Sequence, residues 1–305
     1  MCGKGFDGLV GARYGHPMQV LRYTAFTTDP VGGNPAGVVL DATGADEATM
    51  LATAADIGYS ETAFLVPPEG DGGDGEDGDK GAFGIRYFSP RAEVPFCGHA
   101  TIATAVAHAE RHGVGTLRLR TKAGPVTVTT RALEDGPVAA TLVSVAPRTA
   151  PIPDPVLAEL LAALRWSADD LDPGLPPRAA YGGAWHPIIA AAGRERLADL
   201  DYDFDALAEL MDREGWVTVD LVQRESPTVY HARNPFPPGG VVEDPATGAA
   251  AAAFGGYLRE LGLVTPPTTL TVHQGYDMGR PSTITVSVPA EPGSGIGVSG
   301  SAVPL

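Results

Sequence analysis

Two short segments of this sequence combine groups that transfer protons with a glycine at the predicted start of a helix. The first is Cys97-Gly98-His99, and the second runs from Asp244 to Thr247-Gly248. Thiol, imidazole and carboxylate groups all serve as acids or bases in enzymes. The first turn of a helix also offers unpaired N–H groups and a partial positive charge. Both segments therefore predict a site for an anion such as a substrate carboxylate.

Each segment is followed by a run of residues that predicts a buried helix. The run after His99 carries almost no charge until Glu110 and stops at Gly113, and the run after Gly248 is alanine-rich and stops at Gly262. A helix that is apolar on nearly every face belongs in a core, and glycine commonly follows its last turn. The two starting glycines lie about half the chain apart, which indicates an internal duplication. We expect two lobes, each around one buried helix, with both helix N-termini facing one cleft.

The rest of the chain predicts more strands than helices. Runs such as Gln19 to Phe26, Phe83 to Phe88 and Trp216 to Val219 have the composition of strands. Turn signals such as Gly32-Gly33-Asn34-Pro35 separate them. The pattern predicts an α+β fold, in which mostly antiparallel or mixed sheets curve around the two central helices.

Length, charge and cysteine content limit the class of protein. A chain of 305 residues is long enough for two domains. Its net charge of −16 argues against nucleic acid or an anionic membrane as a partner. Cysteine occurs only at positions 2 and 97, so we expect no disulfide framework and a cytoplasmic location. We expect no membrane span, because no apolar run reaches about 18 residues. We also expect no signal peptide, because the glycine-rich segment from Met1 to Gly15 lacks an apolar h-region.

Two segments are expected to lie outside the core. Met1 to His16 has no clear periodicity and is expected to be a loose extension. Glu69 to Lys80 is glycine and acid almost throughout. Because it lacks the ligand spacing of an EF-hand, we expect a solvated loop rather than a calcium site.

Six motifs together resemble the phenazine-biosynthesis-like PhzF family of isomerases, which has the diaminopimelate epimerase fold. They extend from about Gln19 to Val303, nearly the whole chain. Each is weak alone, but six in the right order are specific. In chain order they are Phe26 with Gly33-Asn34-Pro35-Ala36-Gly37-Val38, Ser60-Glu61-Thr62-Ala63-Phe64, Cys97-Gly98-His99-Ala100-Thr101, Glu243-Asp244-Pro245-Ala246-Thr247-Gly248, Gln274-Gly275 with Met278-Gly279-Arg280-Pro281-Ser282, and Val298-Ser299-Gly300.

The resemblance implies a homodimer of two-lobed subunits without metal or organic cofactor. The N-terminal lobe is expected to comprise residues 17–146 and 289–305, because the C-terminal strands rejoin it, and the C-terminal lobe residues 147–288. The active site is expected in the cleft between the lobes. His108 and His112 do not have the His-Glu-x-x-His arrangement of zinc proteases, so we expect them to end a helix rather than bind metal.

The resemblance also implies a reaction, which is proton transfer within a small amino or hydroxy carboxylate. Glu61, which otherwise reads as an exposed loop carboxylate, is expected to be the acid/base. His99 is expected to orient substrate or assist the transfer, and Asp244 to hold the substrate or orient the acid/base. Without the resemblance, His99 fits a core histidine equally well, and Asp244 also fits the N-cap of the second helix. The expected substrate-binding residues are Cys97, Gly98, Thr247, Gly248 and Ala249.

Cys97 and Ala249 each leave an alternative open. Related racemases use two opposed cysteines, one at each helix start, but this chain has Thr247 at the second, and a hydroxyl is too weak an acid for that role. A one-thiol amino-acid racemase or hydroxyproline-type dehydratase is the alternative that Cys97 supports. Many family members have Ser where this chain has Ala249, which argues against the phenazine precursor 2,3-dihydro-3-hydroxyanthranilate as substrate. Ala249 is also the motive for a third hypothesis, a non-catalytic homologue that binds small carboxylates.

Overall fold

A computed structural model describes residues 18–67, 82–134 and 136–305, together with the backbone of residues 8 and 9. The chain divides into two compact units. Unit 1 comprises Met1–Leu142 and Gly300–Leu305, and unit 2 comprises Val143–Ser299. The predicted loop at Glu69 to Lys80 lies outside the described residues, as does the predicted extension at Met1 to His16 apart from the backbone of residues 8 and 9.

Unit 1 is a mixed sheet with a central helix. Its elements are β1 (Gly8–Leu9), β2 (Gln19–Ala25), β3 (Asn34–Val39), α1 (Glu47–Ile57), β4 (Glu61–Val66), β5 (Ala82–Phe88), β6 (Glu93–Val94), α2 (Gly98–His112), β7 (Thr116–Thr121), β8 (Gly124–Ala132) and β9 (Val138–Val143). Strands β3 and β4 pair in parallel, as do β5 and β7. The pairs β2–β3, β4–β5, β5–β6, β7–β8 and β8–β9 are antiparallel.

Helix α2 forms the core of unit 1. It starts at Gly98, every residue from His99 to Ala107 is buried, and Gly113 follows its last residue, as predicted. Its small side chains let β2, β3, β4 and β8 pack against it. Two buried threonines could leave unpaired hydroxyls in this core, but Thr101 and Thr104 each donate to the carbonyl four residues earlier.

Unit 2 is built in the same way around α6. Its elements are β10 (Arg148–Pro151), α3 (Asp154–Leu164), β11 (Arg178–Tyr181), β12 (Trp185–Ala190), α4 (Arg194–Ala198), α5 (Phe204–Glu214), β13 (Asp220–Arg224), β14 (Val229–Phe236), β15 (Val241–Asp244), α6 (Gly248–Glu260), β16 (Thr268–Gln274), β17 (Ser282–Val288) and β18 (Gly297–Pro304). Helix α6 starts at the predicted glycine and is buried from Ala250 to Leu258. The last residues of β18, Ala302 to Pro304, belong to unit 1, where they pair with β2.

The two units repeat one order of strand pairings, as the predicted duplication requires. In unit 2, β12–β13 and β14–β16 are parallel. The pairs β11–β12, β13–β14, β14–β15, β16–β17 and β17–β18 are antiparallel. This is the sequence of parallel and antiparallel pairs that runs from β2 to β9 in unit 1. The α+β class predicted from the sequence is confirmed.

One strand prediction is wrong. The strand expected at Trp216 to Val219 begins only at Asp220, and Trp216 makes an isolated bridge to Trp185. Thr218 instead turns its hydroxyl to two buried side chains, His186 and Asn234. In the part of the chain that the structure describes, no helix is long and apolar enough to cross a membrane.

Candidate active site

The unit 1 site lies where β4 begins and α2 begins. Glu61 is the first residue of β4 and pairs with Ala36 of β3. Cys97 is the N-cap of α2, and His99 is the second residue of that helix. A strand start and a helix start, which are 36 residues apart in the sequence, thus bring three proton-transfer groups together.

These three side chains are in mutual contact. The Sγ atom of Cys97 lies 3.6 Å from Glu61 Oε2 and 3.4 Å from His99 Nδ1. His99 Nε2 lies 3.5 Å from Glu61 Oε2 and 3.4 Å from the hydroxyl oxygen of Ser60. These separations exceed those of short hydrogen bonds, but catalytic hydrogen bonds often tighten only when substrate binds.

Solvent reaches the carboxylate more readily than the imidazole. The Glu61 side chain is 16% exposed and that of His99 is 7% exposed, and Cys97 is buried. The Glu61 carboxylate is therefore the more accessible of the two groups to a ligand, whereas the His99 ring is packed in the core.

The N-terminus of α2 is open to a ligand. Cys97 occupies the N-cap position but makes no capping hydrogen bond with its side chain, and the first turn has no acidic residue. A Cβ atom built on Gly98 would have only Phe96 within 4 Å, at 3.9 Å. The first amides of α2 therefore keep their affinity for an anion.

The unit 2 site is the turn between β15 and α6. Asp244 ends β15, and its carboxylate accepts a hydrogen bond of 2.6 Å from the hydroxyl of Thr247. Thr247, and not Asp244, is the N-cap of α6, so the N-cap alternative for Asp244 is wrong. Gly248 starts the helix, and Ala249 is its second, half-buried residue.

Gln274 holds this turn together. Its side-chain oxygen accepts from the amide of Thr247 at 3.0 Å. Its side-chain nitrogen donates to the carbonyl of Asp244 at 2.7 Å and to the hydroxyl of Thr247 at 3.0 Å. The next residue, Gly275, has φ +77°, and a Cβ atom there would lie 2.7 Å from the carbonyl oxygen of Pro245. The Gln274-Gly275 motif thus fixes the backbone around Asp244.

An arginine–glutamate ion pair, buried in unit 2 and partly buried in unit 1, lies before each turn and shows which residues of the two units correspond. In unit 2, Arg233 of β14 pairs with Glu243 of β15, with Nε at 3.0 Å from Oε2. In unit 1, Arg86 of β5 pairs with Glu93 of β6, with Nε at 2.8 Å from Oε1. Each glutamate lies four residues before the N-cap of its helix. The arginine of the unit 1 pair keeps the pKa of Glu93 below its usual range.

This alignment shows that unit 2 has no counterpart of the unit 1 site. The residues that correspond to Glu61, Cys97 and His99 are Thr218, Thr247 and Ala249. None of the three can act as an acid or base near neutral pH. Within the described residues, the cluster of a carboxylate, a thiol and an imidazole therefore occurs in unit 1 and is not repeated at the corresponding positions of unit 2.

Thr218, which corresponds to Glu61, belongs to a buried network of polar side chains in unit 2. The ring nitrogen Nδ1 of His186 lies 2.8 Å from Thr218 Oγ1. Thr218 donates to Asn234 Oδ1 at 2.7 Å, and Asn234 Nδ2 donates to Asp220 Oδ1 at 2.9 Å. Burial raises the pKa of Asp220 to about 7 and lowers that of His186 to about 4. Both side chains are therefore mostly uncharged between those two pH values.

A cavity of about 560 Å³ lies at the opposite end of α2 from Cys97 and His99, and its lining includes His108 and His112. Burial first, and the neighbouring His112 second, lower the pKa of His108. The cavity is remote from the three proton-transfer groups along the helix.

The structure thus groups the predicted residues into two sets. Glu61, Cys97, Gly98 and His99 meet in unit 1, and Asp244, Thr247, Gly248 and Ala249 lie together in unit 2. Ser60 and Gln274 were not predicted as site residues, although both belong to the motifs that carry the family resemblance. Their contacts with His99 and Asp244 are long-range and leave no local pattern in the sequence. That both sets face one cleft stays a prediction.

Comparison with known proteins identifies the family. The family model described as phenazine biosynthesis-like protein matches residues 23–305, so the chain belongs to the PhzF family. An uncharacterized isomerase of Mesorhizobium japonicum is 34% identical in an alignment 296 positions long, which covers 90% of this chain and 91% of the relative. The trans-2,3-dihydro-3-hydroxyanthranilate isomerase of Pseudomonas fluorescens is 30% identical and covers 85% of this chain and 86% of its own.

Solved structures agree with this assignment. The Bacillus anthracis phenazine biosynthesis protein of the PhzF family superposes with a TM-score of 0.82 at 26% identity, over 94% of this chain and 97% of its own. A probable proline racemase from Agrobacterium radiobacter matches with a TM-score of 0.64 over 94% of this chain and 91% of its own, and at 14% identity it shows the fold alone. The chain is an isomerase, which favours an enzyme over the non-catalytic alternative.

Proposed function

We propose that this protein is a cofactor-independent isomerase in which Glu61 moves a proton within a small amino or hydroxy carboxylate. The observation that carries the proposal is the contact among Glu61, Cys97 and His99 beside the open N-terminus of α2. The substrate carboxylate is held by the first amides of that helix, a contact worth about 0.3–2 kcal/mol.

The chemistry is a single-base transfer. The Glu61 carboxylate takes a proton from one carbon, and the electron pair of that C–H bond moves into the adjoining unsaturated system of the substrate. Glu61 then returns a proton to another carbon on the same face, where a new C–H bond forms. His99 stays beside the carboxylate and donates to the developing negative charge. General acid–base catalysis of this kind contributes about 10²–10⁴-fold in rate.

The missing counterpart in unit 2 supports one base rather than two. A two-base racemase needs an acid and a base on opposite faces of the substrate carbon. The positions that correspond to Glu61 and Cys97 are Thr218 and Thr247, which do not supply the second group. In the proposal Asp244 instead holds the amine or hydroxyl of the substrate, with both helix N-termini facing a shared cleft.

Ala249 narrows the choice of substrate. The Pseudomonas fluorescens relative is named for trans-2,3-dihydro-3-hydroxyanthranilate, and that compound belongs in any test panel. Ala249 at the start of α6 offers no hydroxyl to a ligand, which favours a related carboxylate over that compound.

The test is a panel of amino and hydroxy carboxylates incubated with the protein in deuterated water and followed by NMR. We expect deuterium at the carbon that receives the proton in the wild type, and none with Glu61→Gln. Glu209→Gln makes the same change at an exposed glutamate of α5 and should exchange like the wild type. Full exchange by Glu61→Gln on every active substrate would remove Glu61 from the mechanism.

A second candidate function rests on the thiol. Cys97 Sγ lies 3.4 Å from His99 Nδ1, within the range in which an imidazole can take a thiol proton. A one-thiol racemase or dehydratase would use this pair. Its test is Cys97→Ser, which would abolish turnover in that case and leave it largely intact if Glu61 is the base.

A further inference from the structure

Three different metal-binding donors converge in unit 1. Glu61, Cys97 and His99 each offer one ligand atom, and these atoms all lie within 4.8 Å of one another. The set combines a carboxylate, a thiol and an imidazole, which are the donors that zinc sites use.

The separations of these atoms match a zinc coordination sphere. Zinc binds sulfur at about 2.3 Å, nitrogen at about 2.0–2.1 Å and oxygen at about 2.0–2.2 Å, mostly as a tetrahedron. The edges of such a tetrahedron are about 3.3–3.7 Å long. The Sγ atom of Cys97 lies 3.6 Å from Glu61 Oε2 and 3.8 Å from His99 Nε2, and His99 Nε2 lies 3.5 Å from Glu61 Oε2. Cys97 Sγ lies 3.4 Å from His99 Nδ1 as well as 3.8 Å from Nε2, so it sits beside the ring and not in line with either nitrogen lone pair. Binding therefore requires the His99 ring to rotate until one nitrogen points at the ion.

We propose that Glu61, Cys97 and His99 bind a zinc ion and that this ion inhibits the isomerase. Zinc displaces the thiol proton of Cys97, since the thiolate is the form that ligates metal. The fourth vertex is left to water or to a substrate carboxylate, as in zinc sites with three protein ligands.

Inhibition follows from the identity of one ligand. Zinc bonded to one Glu61 oxygen withdraws electron density from the carboxylate and makes it a weaker base toward a substrate proton. The bound ion is therefore an inhibitor and not a cofactor. The inhibition rests on the proposed function, whereas the binding of zinc does not.

The binding test uses Co²⁺ as a spectroscopic substitute for zinc. Titration of the wild type with Co²⁺ should give a near-ultraviolet thiolate-to-cobalt absorption band that saturates at one equivalent and disappears when zinc is added. Cys97→Ala should lose the band and bind zinc at least about 100-fold more weakly, a larger loss than for residues outside the coordination sphere.

Two control variants separate this site from other zinc ligands. Cys2→Ser changes the other cysteine of the sequence, and His108→Ala removes one member of the histidine pair at the far end of α2. Both should bind zinc as the wild type does. Circular dichroism of Cys97→Ala checks that it folds, and His99→Gln, which keeps the thiol, provides a second ligand deletion.

The outcomes distinguish the two proposals. No thiolate band in the wild type, or zinc affinity unchanged in both Cys97→Ala and His99→Gln, would overturn the metal site and leave the isomerase mechanism standing. Zinc binding without loss of deuterium exchange would overturn the inhibition and leave the role of Glu61 to the separate test with Glu61→Gln.

Discussion

Asp220 permits a quantitative test of the buried network in unit 2. Burial is the larger cause and raises the pKa of this carboxyl from 3.8 to about 7, while the hydrogen bond from Asn234 lowers it by less. Asp220→Asn removes the titration but keeps an oxygen that can accept from Asn234 Nδ2, which lies 2.9 Å away.

The direction of the effect follows from proton binding. Between about pH 3.8 and about pH 7 the folded protein keeps a proton on Asp220 that the unfolded chain releases. Its contribution to stability is therefore fully present below the unfolded pKa and is lost as pH rises through the folded pKa. The loss is about 1.4 kcal/mol per pH unit and roughly 4 kcal/mol in total.

His186 acts in the opposite direction and masks the effect in the wild type. Burial lowers its pKa from 6.5 to about 4, so the unfolded chain binds the extra proton and stability falls as pH drops through that range. The two slopes offset each other where they overlap. The difference between Asp220→Asn and the wild type cancels the His186 slope and isolates Asp220.

The assay is urea unfolding of both proteins at one-unit steps from about pH 5 to about pH 8. The free energy of unfolding of Asp220→Asn minus that of the wild type should rise by about 1.4 kcal/mol per pH unit up to about pH 7 and stay constant above it. Asp205→Asn, at an exposed position of α5, controls for the change in net charge and should keep the wild-type pH dependence. A difference that does not vary with pH would refute the assignment of a protonated, buried Asp220.

Three further substitutions test the parts of the two sites. Gly98→Val should fold normally, because a Cβ atom there has only Phe96 nearby, yet weaken binding of a carboxylate inhibitor about 2- to 30-fold by calorimetry; equal binding would place the anion elsewhere. Gln274→Leu removes three hydrogen bonds around Asp244 and Thr247 and should lower stability by about 1–3 kcal/mol and also reduce kcat/KM, whereas unchanged kcat/KM would limit Gln274 to a structural role. Arg233→Met leaves Glu243 buried without its partner and should cost about 3–5 kcal/mol in urea unfolding; the double variant with Glu243→Leu should recover most of it, and failure to do so would show that packing, not charge, sets the cost.

The helix starts could be predicted because their signals are local. Gly98 and Gly248 each precede an apolar run with a glycine stop, and both helices begin at those residues. The order of polar turn, apolar helix and glycine also revealed the duplication, which the strand pairings then repeat.

The contacts within each site could not be read from local patterns. Glu61 meets Cys97 and His99 only through the pairing of β4 with the sheet around α2, and the family resemblance alone assigned it a role. Asp220 is a carboxylic acid buried inside unit 2, where it accepts a hydrogen bond from Asn234, which in turn accepts one from Thr218.

The measurement that tests the central claim most directly compares three proteins on one substrate in deuterated water. Wild type, Glu61→Gln and Cys97→Ser are followed by NMR for deuterium at the carbon that receives the proton. A single-base mechanism predicts that Glu61→Gln loses about 10²–10⁴-fold in rate and that Cys97→Ser keeps most of the wild-type rate. Loss of exchange in Cys97→Ser with near-normal exchange in Glu61→Gln would contradict the mechanism and assign the chemistry to the thiol.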